Sequence, residues 1–262
     1  MTQTLEIETR GPVATLWMNR PDVHNAFDEA LIQDLTAACK ALDHDPAVRI
    51  VILAGRGKSF SAGADLNWMK RAAANGVDEN LADARALAGM LRTLAEMKKP
   101  TIARVQGAAL GGGTGLTAAC DIAVASTKAV FATSEVRFGI IPSAISPYVV
   151  RAIGARQAYR YFQTAERIDA IRARELGLVH ETVEPDQLDA KVQEIADALI
   201  LGGPAAQTAA KDLIRAVDNQ PINHTLVEDT AHRIAHLRAT PEARDGIAAF
   251  LDKRQPGWLK GE

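Results

Sequence analysis

Twice in this chain a short strand-like run empties into a glycine-rich loop, and the first of the two is apolar and β-branched. The run Arg49-Ile-Val-Ile-Leu-Ala54 leads into Gly55-Arg-Gly-Lys-Ser-Phe-Ser-Ala-Gly-Ala-Asp65. Thr101–Gln106 leads into Gly107-Ala-Ala-Leu-Gly-Gly-Gly-Thr-Gly115. A strand with no polar alternation must be covered on both faces, as a parallel strand is when it lies between layers of helices. Helical patterns follow both loops, over roughly Asp78–Met97 and Gly111–Ala119. Strands alternating with helices in this order predict an α/β protein.

The flanking sequence fits that frame. Apolar/polar alternation over Thr4–Thr9 and Val13–Asn19, across Arg10-Gly11-Pro12, predicts a β-hairpin. Asn25 reads as an N-cap, with Asp28 and Glu29 favouring the positive helix start. Leu31, Leu35, Ala38 and Leu42 continue that helix to about His44. Asp121–Ser126 and Leu178–Glu184 read as further strands. Beyond Gly202-Gly203-Pro204 the pattern is helical, with Ala206, Ala210, Leu213 and Val217 on one stripe. The expected division is a sheet-containing core over residues 1–200 and a helical part over 201–262.

Composition narrows the function. Lys+Arg 30 against Asp+Glu 32 gives a net charge of −2, without a basic block, which argues against a nucleic-acid partner. No apolar run approaches the roughly 18–20 residues of a membrane span. The N-terminus is charged and alternating, without the apolar stretch of a secretory leader. Cys39 and Cys120 are the only cysteines, too few for a disulfide framework. The expected compartment is the reducing cytoplasm.

Several motifs dissolve on inspection. Lys58-Ser59 follows Gly57, but Ile52 stands where a phosphate loop needs its first glycine. Ser59-Phe-Ser-Ala-Gly63 mimics a hydrolase nucleophile elbow with its first glycine missing, and only His180 and scattered aspartates could complete a triad. Gly113, Gly115 and Ala118 match G-x-G-x-x-A, yet lie several residues past their strand and late in the chain. His224, Glu228, His232 and His236 recur at i, i+4 steps; ligands spread over three turns do not converge, so they read as a solvated face rather than a metal site.

Other features carry more chemistry. A glycine run opening a helix leaves N–H groups and the positive dipole end facing a cleft. Two such loops, each ending a buried strand, could each give one N–H to the same oxyanion. Glu135, in the apolar setting of Phe131-Ala-Thr-Ser-Glu-Val-Arg137, is either ion-paired or held protonated for proton transfer. Local sequence favours an ion pair, with Arg137 as the nearby candidate partner.

Taken together and in order, the segments Asn19-Arg-Pro-Asp-Val-His-Asn-Ala26, Phe60-Ser-Ala-Gly-Ala-Asp-Leu66, Gly107-Ala-Ala-Leu-Gly-Gly-Gly113, Cys120-Asp-Ile122, Ser134-Glu135 and Phe250-Leu-Asp-Lys253 resemble the crotonase (enoyl-CoA hydratase/isomerase) superfamily. The resemblance covers nearly the whole chain. It implies a spiral of β-β-α units, a helical C-terminal part that supports trimers or hexamers, and a coenzyme A thioester substrate. No further cofactor and no metal is implied.

By position, the resemblance assigns the Ala64 and Gly112 N–H groups to an oxyanion hole. Val23, Ala62, Asp65 and Leu66 would line the coenzyme A chain, Phe250 and Lys253 would reach its nucleotide, and Glu135 would be the catalytic acid–base group. Two departures stand out. Gly115 replaces the second glutamate of two-glutamate hydratases, and Ser143-Ala-Ile-Ser-Pro-Tyr148 replaces a glycine-rich stretch. This combination is most similar to bacterial hydratases of branched, carboxylated enoyl-CoAs, the methylglutaconyl-CoA type of leucine breakdown. Hydration, Δ3-Δ2 enoyl-CoA isomerisation by the same single glutamate, and thioester binding without turnover are the three readings this leaves.

Overall fold

The alternating N-terminal segment forms β1 (Leu5–Arg10) and β2 (Val13–Met18), paired antiparallel around Gly11. The computed structural model describes residues 4–259. After α1 (Glu29–His44) come β3 (Ile50–Gly55), α2 (Leu66–Ala74), α3 (Val77–Ala95), β4 (Thr101–Val105), β5 (Ala108–Leu110) and α4 (Gly112–Ala119). They are followed by β6 (Ile122–Ser126), β7 (Val130–Ala132), α5 (Ser146–Thr164), β8 (Ile168–Asp169), α6 (Ala170–Glu175) and β9 (Glu181–Val183). The chain continues with α7 (Leu188–Ile200), α8 (Pro204–Val217), α9 (His224–Arg238) and α10 (Pro241–Leu251).

Six strands form one sheet in the order β1-β2-β3-β4-β6-β9, parallel from β2 onward. The apolar run of β3 is buried on both faces, for the reason its composition predicts. Ile50 and Ile52 join Ile102 and Val124 against Leu188, Val192 and Ala196 of α7. Val51 and Leu53 face the other way, into the larger core with Leu31, Leu35, Leu91 and Leu116. Each such branched side chain, fully buried, contributes about 1.5–3 kcal/mol relative to exposure.

A second layer went unseen in the sequence. Strands β5, β7 and β8 form a small sheet, with β5 parallel to β7 and β7 antiparallel to β8. Two isolated parallel bridges, Ser61 with Ala109 and Phe27 with Ala64, extend this layer outward. Successive passes thus leave the large sheet and add one extended segment to the second layer: Phe27 after β2, Ser61–Ala64 after β3, β5 after β4, and β7 after β6. This is the spiral of β-β-α units that the resemblance implies.

Two local expectations are corrected. Asp28, not Asn25, caps α1, its carboxylate accepting the Leu31 N–H at 2.9 Å. Asn25 is fully buried at φ 54. Its Oδ1 accepts the Arg20 N–H at 2.8 Å, and its Nδ2 donates to the Arg56 and Ser59 carbonyls at 2.9 Å each, so it staples two loops together. The stretch before Asp78, read as loop, contains α2, started by Asp65 accepting the Asn67 and Trp68 N–H groups.

The C-terminal helices are tied to the core by polar contacts. Lys211 of α8 meets Asp121 at 2.6 Å, and Asp121 also accepts the Thr101 N–H and hydroxyl. Ala206, Ala210 and Leu213 of the α8 stripe are exposed. No helix among the described residues is long and apolar enough to cross a membrane.

Candidate active site

Three consecutive passes of the spiral end at one place. The loop after β3 carries Gly63 and Ala64, the loop after β5 carries Gly111 and Gly112, and the short helical turn after β7 begins with Glu135. The first two loops touch through glycines at positive φ. A methyl group on Gly63 (φ 89) would lie 2.9 Å from the Leu110 carbonyl oxygen and 3.8 Å from Gly111 Cα. A methyl group on Gly111 (φ 49) would lie 3.2 Å from Glu135 Oε1. No side chain but hydrogen leaves room for this three-way approach.

The Ala64 and Gly112 N–H groups have no backbone acceptor among the described residues. The Phe27 N–H donates to the Gly63 carbonyl at 2.7 Å, and the Asp65 N–H donates to the Phe27 carbonyl at 2.8 Å. In such a parallel bridge the intervening residue, Ala64, turns its own N–H away from the partner; Ala64 is exposed. Gly112 is the first residue of α4, where an N–H has no intrahelical acceptor and the helix dipole is positive. The Phe27 ring is buried beneath it: a methyl on Gly112 would come within 2.7 Å of Phe27 Cε2.

The Glu135 carboxylate is largely withdrawn from water, and burial pushes its pKa above the ordinary glutamate range despite a bond from its own backbone N–H. Its Oε2 is buried without a hydrogen-bond partner. The expected ion pair with Arg137 does not form: Arg137 is exposed and has no ionic partner among the described residues. Sitting two residues apart on a tight helical turn, the two side chains diverge. Glu135 is therefore a desolvated acid rather than half of a structural pair.

Gly115 lies one turn further along α4, on the face shared with Gly111. A methyl there would collide with Ile145 Cγ2 and come within 2.8 Å of its Cβ. Ile145 is buried just before α5. The place where a second carboxylate would emerge is thus filled by a hydrocarbon side chain, which the sequence did not reveal.

Around the cleft, the Ala62 N–H donates to the His24 carbonyl at 2.9 Å, which sets the exposed Val23 beside Ala62. Leu66 is exposed at the start of α2. Burial opposes ionisation of Asp65, but the Asn67 and Trp68 N–H groups and Arg20 outweigh it and hold its pKa low. Arg20 also pairs with Asp28 at 2.7 Å, locking these turns together. Phe250 and Lys253 are exposed at the end of α10, and among the described residues no hydrogen bond or ion pair joins them to the cleft.

The rejected motifs look different in three dimensions. Ser61, the nucleophile an elbow would require, is fully buried with its hydroxyl donated to the Asn25 carbonyl. His180 accepts the Ala123 N–H at the start of β6, the opposite end of the sheet from the cleft. Among the described residues no group of three or more His, Cys, Asp or Glu gathers as a metal site.

Comparison with known proteins agrees with this geometry. The family model of enoyl-CoA hydratases/isomerases matches residues 8–261. The crotonyl-CoA hydratase of Syntrophomonas wolfei is 32% identical over 260 residues, 98% of each chain. The short-chain-enoyl-CoA hydratase of Clostridium acetobutylicum is 33% identical over 256 residues, 95% of each. The crystal structure of an enoyl-CoA hydratase from Shewanella pealeana is similar at TM-score 0.95 and 42% identity, covering 97% of this chain and 96% of that one. With the spiral, the paired glycine loops and a whole-length match in hand, the chain belongs to the enoyl-CoA hydratase/isomerase family of crotonase-fold enzymes.

Proposed function

We propose that this enzyme is a hydro-lyase that adds water across the 2,3 double bond of an enoyl-CoA, with Glu135 as its principal acid–base group. The observation that carries this is the desolvated Glu135 carboxylate, its Oε1 packed on Gly111 at the meeting point of the two glycine loops. The thioester oxygen rests on the Ala64 and Gly112 N–H groups, so C3 becomes electrophilic. Glu135 takes a proton from water as the water oxygen bonds to C3. The π electrons move onto the thioester as an enolate, and C2 then takes the proton back from Glu135. A raised pKa suits a group that must both accept and return a proton. Each backbone donor in such a hole is worth about 10²–10³ in rate.

Val23, Ala62, Asp65 and Leu66 line the pantetheine chain in this reading. Phe250 and Lys253 serve the nucleotide, in a trimer or hexamer. Arg137, which has no ionic partner among the described residues, supports a carboxylated, branched acyl group such as 3-methylglutaconyl. One observation favours a second reading: with Ile145 closing the Gly115 position, the lone base could shuttle a proton between C2 and C4 and isomerise 3-enoyl-CoAs.

Turnover of crotonyl-CoA, 3-methylglutaconyl-CoA and a 3-enoyl-CoA in deuterated water separates the readings. Hydration gives a 3-hydroxyacyl-CoA carrying deuterium at C2. Conversion of 3-enoyl to 2-enoyl without hydration establishes isomerisation instead. An Arg137→Leu variant that treats carboxylated and plain substrates as the wild type does would remove Arg137 from substrate recognition.

A further inference from the structure

We infer that Phe27 is the positioning residue of the oxyanion hole, fixing the spacing between the Ala64 and Gly112 N–H groups by touching both loops at once. The inference rests on the assignment of those two donors made above. Phe27 reaches the first loop with its backbone: its N–H holds the Gly63 carbonyl and its carbonyl holds the Asp65 N–H, at 2.7 and 2.8 Å. Ala64 is therefore suspended between two fixed points, with its N–H aimed away from Phe27. The second loop is reached through the ring. Cε2 and Cδ2 lie 2.7 and 2.9 Å from where a Gly112 methyl would stand, so the ring edge is packed against the Gly112 backbone itself.

Phe27 is well placed to serve as a template. Its ring is only 1% exposed, and its neighbours on both sides are anchored. Asp28 caps α1 and pairs with Arg20, while the Arg20 guanidinium donates to the Ala26 carbonyl and also reaches Asp65. The Ser61–Ala109 bridge sets the two loops side by side upstream, and Phe27 closes the third side of the triangle downstream. The Gly112 contact also explains why position 112 is glycine: any Cβ would drive into the ring. Reacting groups must be held to fractions of an ångström, and a misplacement of about 1 Å can cost 10²-fold in rate.

The test compares Phe27→Leu, which keeps the backbone bridge but loses the ring edge, with Leu42→Ala, a core change at the far end of α1. Two quantities are read: kcat and KM on the best enoyl-CoA, and the red shift of bound 4-dimethylaminocinnamoyl-CoA, whose absorbance follows polarisation of the thioester carbonyl. In Phe27→Leu, kcat should fall at least about tenfold with KM within about threefold, and the red shift should shrink. Leu42→Ala should lose thermal stability yet keep the wild-type shift and kcat. Should Phe27→Leu not fold, Phe27→Met is read in the same way. Gly112→Ala, which pushes a methyl into the ring, should lose kcat and regain part of it when combined with Phe27→Met. An undiminished shift and kcat in the Phe27 variants overturns the inference. No red shift in the wild type overturns the donor assignment, and the inference falls with it.

Discussion

Replacing Gly115 by alanine measures how firmly Ile145 occupies the space in front of position 115. The new methyl would overlap Ile145 Cγ2 and sit 2.8 Å from its Cβ and 3.7 Å from its Cα. Carbon atoms pack comfortably at about 3.5–4.0 Å, so Ile145 must retreat by roughly 1 Å. It has nowhere to go, being 2% exposed and leading directly into α5. Overpacking of this kind costs about 1–3 kcal/mol, and the rigid Cβ contact places Gly115→Ala in the upper part of that range. Alanine's better helix propensity returns about 1 kcal/mol. The net loss of about 1–2 kcal/mol corresponds to a Tm lower by about 2–8 °C for a chain of this size. The assay is thermal unfolding at matched protein concentration, as a cycle with Ile145→Ala. That change alone costs about 2–5 kcal/mol, and the double variant should be at least about 1 kcal/mol more stable than the sum predicts. Partial relief is expected, because alanine removes Cγ2 but keeps the close Cβ. A Gly115→Ala protein as stable as wild type, with no coupling to Ile145, would refute the reasoning. If the coupling is found, Gly115→Glu cannot by itself seat a second carboxylate here.

Three further outcomes are expected. Glu135→Gln should lose about 10²–10⁴ in kcat, and wild-type activity should rise with pH around a midpoint above the ordinary glutamate value, read from a pH–rate profile. The native carboxyl binds its proton more tightly than the unfolded one, whose value is near 4.5. Wild-type stability should therefore fall relative to Glu135→Gln as pH rises from 4.5 through the native pKa, as followed by urea titration. Lys253→Ala should raise KM for an enoyl-CoA with little change in kcat, since a remote phosphate contact aids ground and transition states alike; light scattering on the same samples checks the trimer or hexamer. Asp121→Ala leaves Lys211 its bond to the Lys99 carbonyl but no counter-charge there, strands the Thr101 N–H, and should cost about 3 kcal/mol in chemical denaturation, at the low end for a broken buried pair because Asp121 keeps some exposure.

What the sequence reveals depends on how many residues carry a signal. β3 was legible because all six of its residues are buried, and the hairpin because its sequence alternates on both sides of the Gly11 turn, although the observed burial of β1 and β2 does not alternate evenly. β5, β7 and β8 have only three, three and two residues, too few for any periodicity to show, so the second layer stayed hidden. Asn25 looked like a cap because its chemistry suits one, but its amide is turned into the loop instead. In the cleft, glycine spacing advertised Gly63, Gly111 and Gly112, since only close backbone approach demands them. Phe27 and Ile145 were invisible for the opposite reason: an apolar residue gives no sign of which backbone it supports. The absent Glu135–Arg137 pair shows that two residues of separation on a tight turn is not proximity.

Both donors assigned to the cleft belong to the main chain, and this has a consequence for how the protein tolerates mutation. A catalytic side chain is erased by almost any replacement, whereas the N–H of Ala64 is kept by every residue but proline. Position 64 is exposed, so its side chain can drift freely while the donor persists. Fragility moves instead to residues with no polar atom in their side chains: Gly63, Gly111, Gly112 and Phe27, whose shapes hold the amides in place. The oxyanion donors are therefore insured at their reactive atoms and exposed to loss at their scaffolding, and, Glu135 apart, changes that silence the site should cluster in glycines and buried rings.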